Sequence, residues 1–217
     1  MSFDKVDIIN EESVVSIEAM KEMHTKGGKN FAIFAQDTSG LIGANNDLLW
    51  YLPEDLSFFK HVTLNNNVIM GKNTWLSLPF KPLPKRNNII ISSTLNDVGD
   101  LAIKVKNVDK AMNIISNNGY NFFIGGSQVY DYILSENIVD GIYMTIVDFV
   151  EKDDNFSPFQ NFGNIDNVVY APVVSNDYVL CAETDWEISE NGYMKYDTSK
   201  KKIKYKILFY RQAIRKK

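Results

Sequence analysis

Between Phe31 and Asp148 the chain alternates short apolar runs with stretches of helical spacing, and this alternation restricts the fold more than any other feature. AIFAQ and NVIMG are strand-like, and the second leads into a helical KNTWLSL. RNNIIISS precedes a helical VDKAMNIIS, NFFIGG precedes a helical SQVYDYILS, and GIYMTIVD is again strand-like. Strands and helices in this order predict an α/β fold with a mostly parallel sheet. After Asp148 the helical spacing stops, and YVLCAETDWEI and KKIKYKILFYR read as a closing antiparallel pair.

A chain of 217 residues with 45% hydrophobic and 12% aromatic residues can bury the core of one domain and is not a disordered sequence. The compact pattern starts at NFAIFAQD, so residues 30–217 form the domain and residues 1–29 an N-terminal extension. In that extension Val14, Ile17, Met20 and Met23 make a weak helical stripe, which Gly27 and Gly28 break. Cys181 is the only cysteine, so no internal disulfide can form and a reducing compartment is expected. The N-terminus lacks the basic and apolar regions of a secretory signal, and no apolar run approaches the roughly 20 residues that span a bilayer. These features predict a cytoplasmic protein without membrane contact.

The net charge of −4 is unevenly spread: from Lys195 onward there are ten basic residues and one acid, leaving −13 on the first 194 residues. A basic tail can mark a nucleic-acid partner. In KKIKYKILFY, however, Lys202, Lys204 and Lys206 alternate with Ile203, Tyr205 and Ile207. That is a strand with one wet face, whose lysines would also discourage edge-to-edge pairing, so no nucleic-acid partner is expected.

Asp55 sits inside the aromatic and aliphatic stretch LLWYLPEDLSFFKHVT. Pro53 suits the first position of a helix, which puts Asp55 in the first turn and on one face with Phe59 and Val62. An acid in a first turn is favoured by the helix dipole, but Glu54 already supplies that charge. A carboxylate on the inward stripe needs a buried partner or faces a ligand cavity. The pattern leaves both open.

Two strand-to-helix junctions carry the right chemistry for phosphate. One places Gly71, Lys72, Asn73 and Thr74 at a helix start, and the other Gly125, Gly126 and Ser127. Free N–H groups at a helix start bind anions, and glycine lets the backbone come close. Neither junction matches a dinucleotide fingerprint or a P-loop. Arg86, at the start of a strand that ends in Ser92 and Ser93, is either a surface arginine or a bidentate grip on a carboxylate. With His24 and His61 the only histidines and Cys181 alone, neither a zinc site nor a hydrolytic triad is expected.

FAQDTSGLIGANNDLLWYLPEDLSFFKHVT, VIMGKNTW, PLPKRNNIIIS and FFIGGSQVY, in this order and spacing, resemble the dihydrofolate reductase family from about Phe31 to Arg211. The resemblance implies a central eight-stranded, mostly parallel sheet with an antiparallel C-terminal strand and flanking helices. It also implies NADPH-dependent reduction of 7,8-dihydrofolate to tetrahydrofolate, serving one-carbon metabolism, in a monomer that antifolate inhibitors bind. Asp55 and Trp50 would be the catalytic residues. Ile33, Ala35, Leu56, Phe59 and Ile124 would line the pterin slot, with Thr145 bonded to Asp55. Arg86 would hold the tail carboxylate, with Lys60 and Leu83 nearby. Ala35, Ile42 and Gly43 would lie near the nicotinamide, and Gly71, Lys72, Asn73, Thr74, Ser92 and Ser93 would hold the adenosine phosphates. Gly125, Gly126, Ser127, Gln128, Val129 and Tyr130 would meet the pyrophosphate and its neighbours. GLIGANNDLLW would be a mobile loop over the reaction.

The sequence departs from the family pattern at Leu49, where a proline usually precedes the tryptophan, and at Gln128, where some members carry arginine. The first points to a looser loop and the second to one cofactor-phosphate charge fewer. The extension has no family role, but it could mediate association. Two competitors remain: a same-fold pyrimidine reductase of riboflavin synthesis, and a non-catalytic homologue that keeps only the fold. Neither accounts for Asp55, Trp50, Arg86 and both glycine junctions together.

Overall fold

The computed structural model describes residues 13–45, 47–115, 119–150, 167–195 and 201–213. In chain order the elements begin with β1 (Ser13–Val14), α1 (Ile17–Lys21) and a 3-10 turn at Met23–Lys26. Next come β2 (Asn30–Asp37), β3 (Leu41–Ala44), β4 (Asp47–Leu48), β5 (Trp50–Tyr51) and α2 (Pro53–Thr63). The middle of the chain forms β6 (Asn67–Gly71), α3 (Lys72–Ser77), β7 (Asn87–Ile91), β8 (Ala102–Val105), α4 (Val108–Ile114), β9 (Asn121–Phe123) and α5 (Ser127–Ser135). The last part supplies β10 (Gly141–Phe149), β11 (Val168–Tyr170), β12 (Tyr178–Glu183), β13 (Glu187–Ile188), β14 (Tyr193–Met194) and β15 (Ile203–Gln212).

The central sheet runs β12-β15-β10-β2-β9-β6-β7-β8. From β10 to β8 the neighbours are parallel, and β15 lies antiparallel between β10 and β12. The expected eight-stranded, mostly parallel sheet is thus borne out, and β1 adds a short parallel edge beside β12. The alternation along β2 explains the layers. Phe31, Ile33 and Ala35 face a core shared with Phe58 and Val62 of α2, while Ala32 and Phe34 face one shared with Ala111 of α4 and Ile133 of α5. No helix among the described residues is long and apolar enough to cross a membrane.

β15 corrects one expectation. Its lysines do not guard an edge, because the strand is interior. Lys206 instead pairs with Glu183 of β12, and Lys204 lies 3.6 Å from Asp148 of β10.

At the amino ends of the parallel strands the first residues form a ladder. Asn87 donates to Asn67 (2.9 Å), Asn67 to Asn121 (2.7 Å), and Asn121 to Asn30 (2.8 Å). These residues are register partners on β7, β6, β9 and β2. A slip of one residue would break every link, so the ladder specifies register as well as satisfying buried amides.

The described part of the extension lies against the same end. Met20 and Met23 are buried with Phe31, Phe58 and Tyr143, whereas Val14 of the expected stripe lies on β1 and is exposed. The His24 N–H donates to Tyr143 Oη (2.8 Å), and the His24 ring meets Tyr120 edge-on at 4.6 Å. Arg211 Nη1 and Nη2 donate to the Gly27 and Met23 carbonyls, each at 2.7 Å. Gly28 has φ 83°, and a Cβ there would stand 2.5 Å from the Asp140 Cβ, so this turn requires glycine.

Candidate active site

Helix α2 starts without a side-chain cap, with Leu52 extended and Pro53 at its first position. The stripe of Asp55, Phe59 and Val62 turns toward the sheet as its spacing requires, and Val62 is fully buried. Asp55 meets β10, where Thr145 Oγ1 donates to Asp55 Oδ1 at 2.6 Å. Thr145 is in register with Ala35 of β2, so the acid, the hydroxyl and Ala35 lie side by side, with Ile33 one step along the same face. Asp55 keeps a narrow opening to solvent, but the protein around it pushes its carboxyl up to about 6, and only the Thr145 bond opposes this. The buried-partner reading of Asp55 is met by Thr145. That is its one hydrogen-bond partner among the described residues, and it leaves most of the carboxylate's acceptor capacity unused.

The loop expected to move is held as a small sheet. β3 pairs with β4 and with β11, the turn uses Asn45 at φ 52°, and Gly43 passes so close to the Asp47 carbonyl that a Cβ would overlap it. Ile42 is partly buried on the opposite core from Asp55. Trp50 follows on β5 and is 1% exposed, yet its indole N–H has no hydrogen-bond partner among the described residues. A buried donor without a partner and, five residues on, a carboxylate of raised pKa are both groups that suit a polar ligand.

The two glycine junctions are brought together. The Gly71 N–H donates to the Gly125 carbonyl at 2.7 Å, and Gly125 and Gly126 are joined by a cis peptide. Gly125 has φ 122°, and a Cβ on it would stand 2.8 Å from Thr74 Oγ1. Lys72 Nζ reaches Thr94 Oγ1 at 3.0 Å. Thr94 escaped sequence reasoning, because a threonine in a polar loop gives no signal. Asn73, Ser93 and Gln128 are exposed, and Ser127 is partly so. Ser92 is buried, and its oxygen accepts from the Thr94 and Leu95 N–H groups, which leaves its own proton to donate. Val129 and Tyr130 are buried in the core beneath this surface, where Val129 packs against Gly71 and Tyr130 Oη donates to the Ile33 carbonyl at 2.8 Å.

Arg86 is not a loose surface arginine. It donates to Thr63 Oγ1 (2.8 Å), the Pro84 carbonyl (2.9 Å) and the Lys60 carbonyl (3.2 Å), and lies 5.7 Å from the Phe59 ring centre. Its guanidinium is thus fixed at the far end of α2 from Asp55. Lys60 and Leu56 are exposed on that helix. Leu83 and Ile124 are partly buried over the cluster of Val68, Met70, Trp75 and Ile90, and Ile124 also touches the Asp55-side core. Among the described residues no group of three or more His, Cys, Asp or Glu is placed to hold a metal.

A family profile for dihydrofolate reductase matches residues 30–178. The chain belongs to the dihydrofolate reductase family. It is 36% identical over 126 residues to a dihydrofolate reductase of Bacillus subtilis, covering 58% of this chain and 73% of that one. It is 30% identical over 162 residues to that of Mycobacterium leprae, covering 74% and 90%. The fold matches a dihydrofolate reductase from Enterococcus faecalis, complexed with NADP(H) and RAB-propyl, at a TM-score of 0.63 and 22% identity over 85% of this chain and 96% of that one. The profile match begins at Asn30 and ends at Tyr178.

Proposed function

We propose that the chain reduces 7,8-dihydrofolate to 5,6,7,8-tetrahydrofolate with NADPH. The observation that carries this is Asp55: a carboxylate on an apolar helix face, given one hydroxyl partner by Thr145 and raised to about 6 by its surroundings. A donor-rich ring would supply what that carboxylate lacks. When bound, NADPH supplies the hydride. The chain offers it Lys72 with Thr94, the exposed Ser93, the Ser92 hydroxyl, and a glycine surface where any Cβ at Gly125 would collide with Thr74. Arg86, held in place by α2, has the geometry to receive the substrate's tail carboxylate.

Asp55 holds the ring in register and, when ionised, favours the protonated substrate. Thr145 orients Asp55. Trp50 offers its unpartnered N–H and walls off solvent, so the proton is carried by a water that Asp55 and Trp50 orient. We further propose a cytoplasmic monomer that binds antifolates in the same slot. Among the extension's residues none belongs to this set, so chemistry resides in residues 30–217. The test is direct. Dihydrofolate and NADPH mixed with the protein should consume the reduced-nicotinamide absorbance. A protein that binds both without turnover is the scaffold alternative, and turnover of a pyrimidine substrate alone is the riboflavin one.

A further inference from the structure

The residues around Asp55 and Trp50 are gripped by a segment far away in sequence. β13 is anchored on β15, with Glu187 paired to Tyr205 and Ile188 to Lys204, and the Ser189 N–H donates to the Ile203 carbonyl at 3.0 Å. From that anchor Ser189, only 1% exposed, donates its hydroxyl to the Glu54 carboxylate, with oxygen distances of 2.8 and 2.9 Å. The same Ser189 Oγ accepts the Gly192 N–H at 2.7 Å, which turns the chain back. A Cβ at Gly192 would stand 2.5 Å from that oxygen, so only glycine permits this turn. β14 then pairs with β5, Met194 beside Trp50 and Tyr193 beside Tyr51. Met194 is buried in the same cluster as Trp50 and Leu49. Finally the Lys195 N–H donates to the Leu49 carbonyl (2.8 Å), and its ammonium meets Asp47 at 2.6 Å.

We propose that residues 189–195 are a positioning brace for the reaction, with Ser189 and Lys195 as its positioning residues. The brace ties the start of α2, and so Asp55, to the strand bearing Trp50, and fixes both to the central sheet through β15. Neither positioning residue touches the reacting atoms. A two-residue strand such as β5 cannot hold its own place, because so few main-chain bonds do not offset the ordering of the chain. The Lys195–Asp47 pair is half in solvent and screened, so Ser189 is the firmer anchor. The brace reaches the pterin side and, at Asp47, the strand that pairs with Gly43 and Ala44, but not the adenosine end of the cofactor site. Lys72, Thr94 and Gly125 are held by other elements, so loosening it should separate the two substrates' kinetics. This also explains how Leu49, which brings none of proline's stiffness, is kept in place: its side chain is buried and its carbonyl is bonded.

This inference rests on the dihydrofolate reading, and the wild type is the control that separates them: a wild type without turnover defeats that reading. With an active wild type, Ser189→Ala/Lys195→Met should lose about 10- to 100-fold in kcat/KM for dihydrofolate, mostly through KM. Its KM for NADPH should stay within about twofold, as expected of an independent site. Measurements are made well below the melting temperature, and Trp50 fluorescence should shift to the red as the indole is exposed. Should the double variant not fold, Lys195→Met alone should show the same split more weakly, with Lys195→Arg restoring wild-type values. Unchanged dihydrofolate constants, or a parallel rise in both KM values, overturn the brace.

Discussion

At their amino ends β2, β9, β6 and β7 begin with asparagines that bond to one another, and the extension's methionines and His24 close over that end. At the other end lie Lys72 and the two glycine junctions that follow β6 and β9, Asp55 in the first turn of α2 and Trp50 on β5, with a buried indole N–H unpaired among the described residues and a carboxyl raised to about 6. The amino end pairs most of its polar groups within the protein, Asn137 Oδ1 being the exception among the described residues, and the other end leaves an indole N–H and most of a carboxylate's acceptor capacity unused. The first arrangement favours the folded state. The second costs stability, which the proposed ligands would offset.

Asp55→Asn should break the contrast most sharply. At neutral pH kcat/KM for dihydrofolate should fall by roughly 10²–10⁴, and less at low pH, where solution supplies more protonated substrate. Stability should move the other way. The folded pKa of about 6 lies above the ordinary 3.8, so the contribution of Asp55 is full below the unfolded value and lost as pH rises through 6. The variant escapes that loss, so above about pH 7 it should be more stable by on the order of 1–3 kcal/mol, the gain fading toward about pH 4. Denaturant melts across pH check this, and an equally or less stable variant at high pH would place Asp55 with the self-satisfied groups.

The amino end is tested by starting the chain at Lys29. Losing Met20 and Met23 removes buried apolar surface, at about 1.5–3 kcal/mol for each side chain, and strips Arg211 of two acceptors. The melting temperature should drop clearly, while kcat, measured cold, stays within a few-fold. A folded but inactive truncation would mean that the extension serves both ends. A finer test is Asn67→Ala, which leaves the buried Asn121 carbonyl oxygen unpaired and should cost about 1–3 kcal/mol without changing either KM. The smallest effect is expected at the cofactor. Lys72→Ala should reduce the preference for NADPH over NADH by about tenfold, the value of one charged hydrogen bond. Equal losses with both cofactors would remove Lys72 from the 2′-phosphate.

What was legible in the sequence divides along the same line. The parallel sheet could be read because its strands are apolar runs set between helical ones, and Asp55 because a charge on the stripe of Phe59 and Val62 breaks a pattern. The asparagine ladder could not, since Asn30, Asn67, Asn87 and Asn121 each look like the polar residue that ends a turn. Their meaning lies in the register between strands, which single segments do not encode. The brace was hidden for a related reason. β5 and β14 are two residues each, and their pairing depends on a serine hydroxyl and a glycine turn far from Trp50. Met20 and Met23 were seen as a stripe, but nothing local said what would cover them.

The place of β15 has a consequence for how the protein is made. This strand lies between β10 and β12, carries β13 along its side, and supplies the arginine that ties down the extension. During synthesis β2, β6, β7, β9 and β10 can pair as they emerge, but β10 keeps a long open edge until residues 203–212 arrive. The extension then waits for Arg211 of β15 to dock. Contacts between such distant parts of a chain slow folding, and an unpaired strand edge invites association with other chains. The nascent chain is therefore most exposed to aggregation just before β15 emerges, when its sheet is still in two pieces.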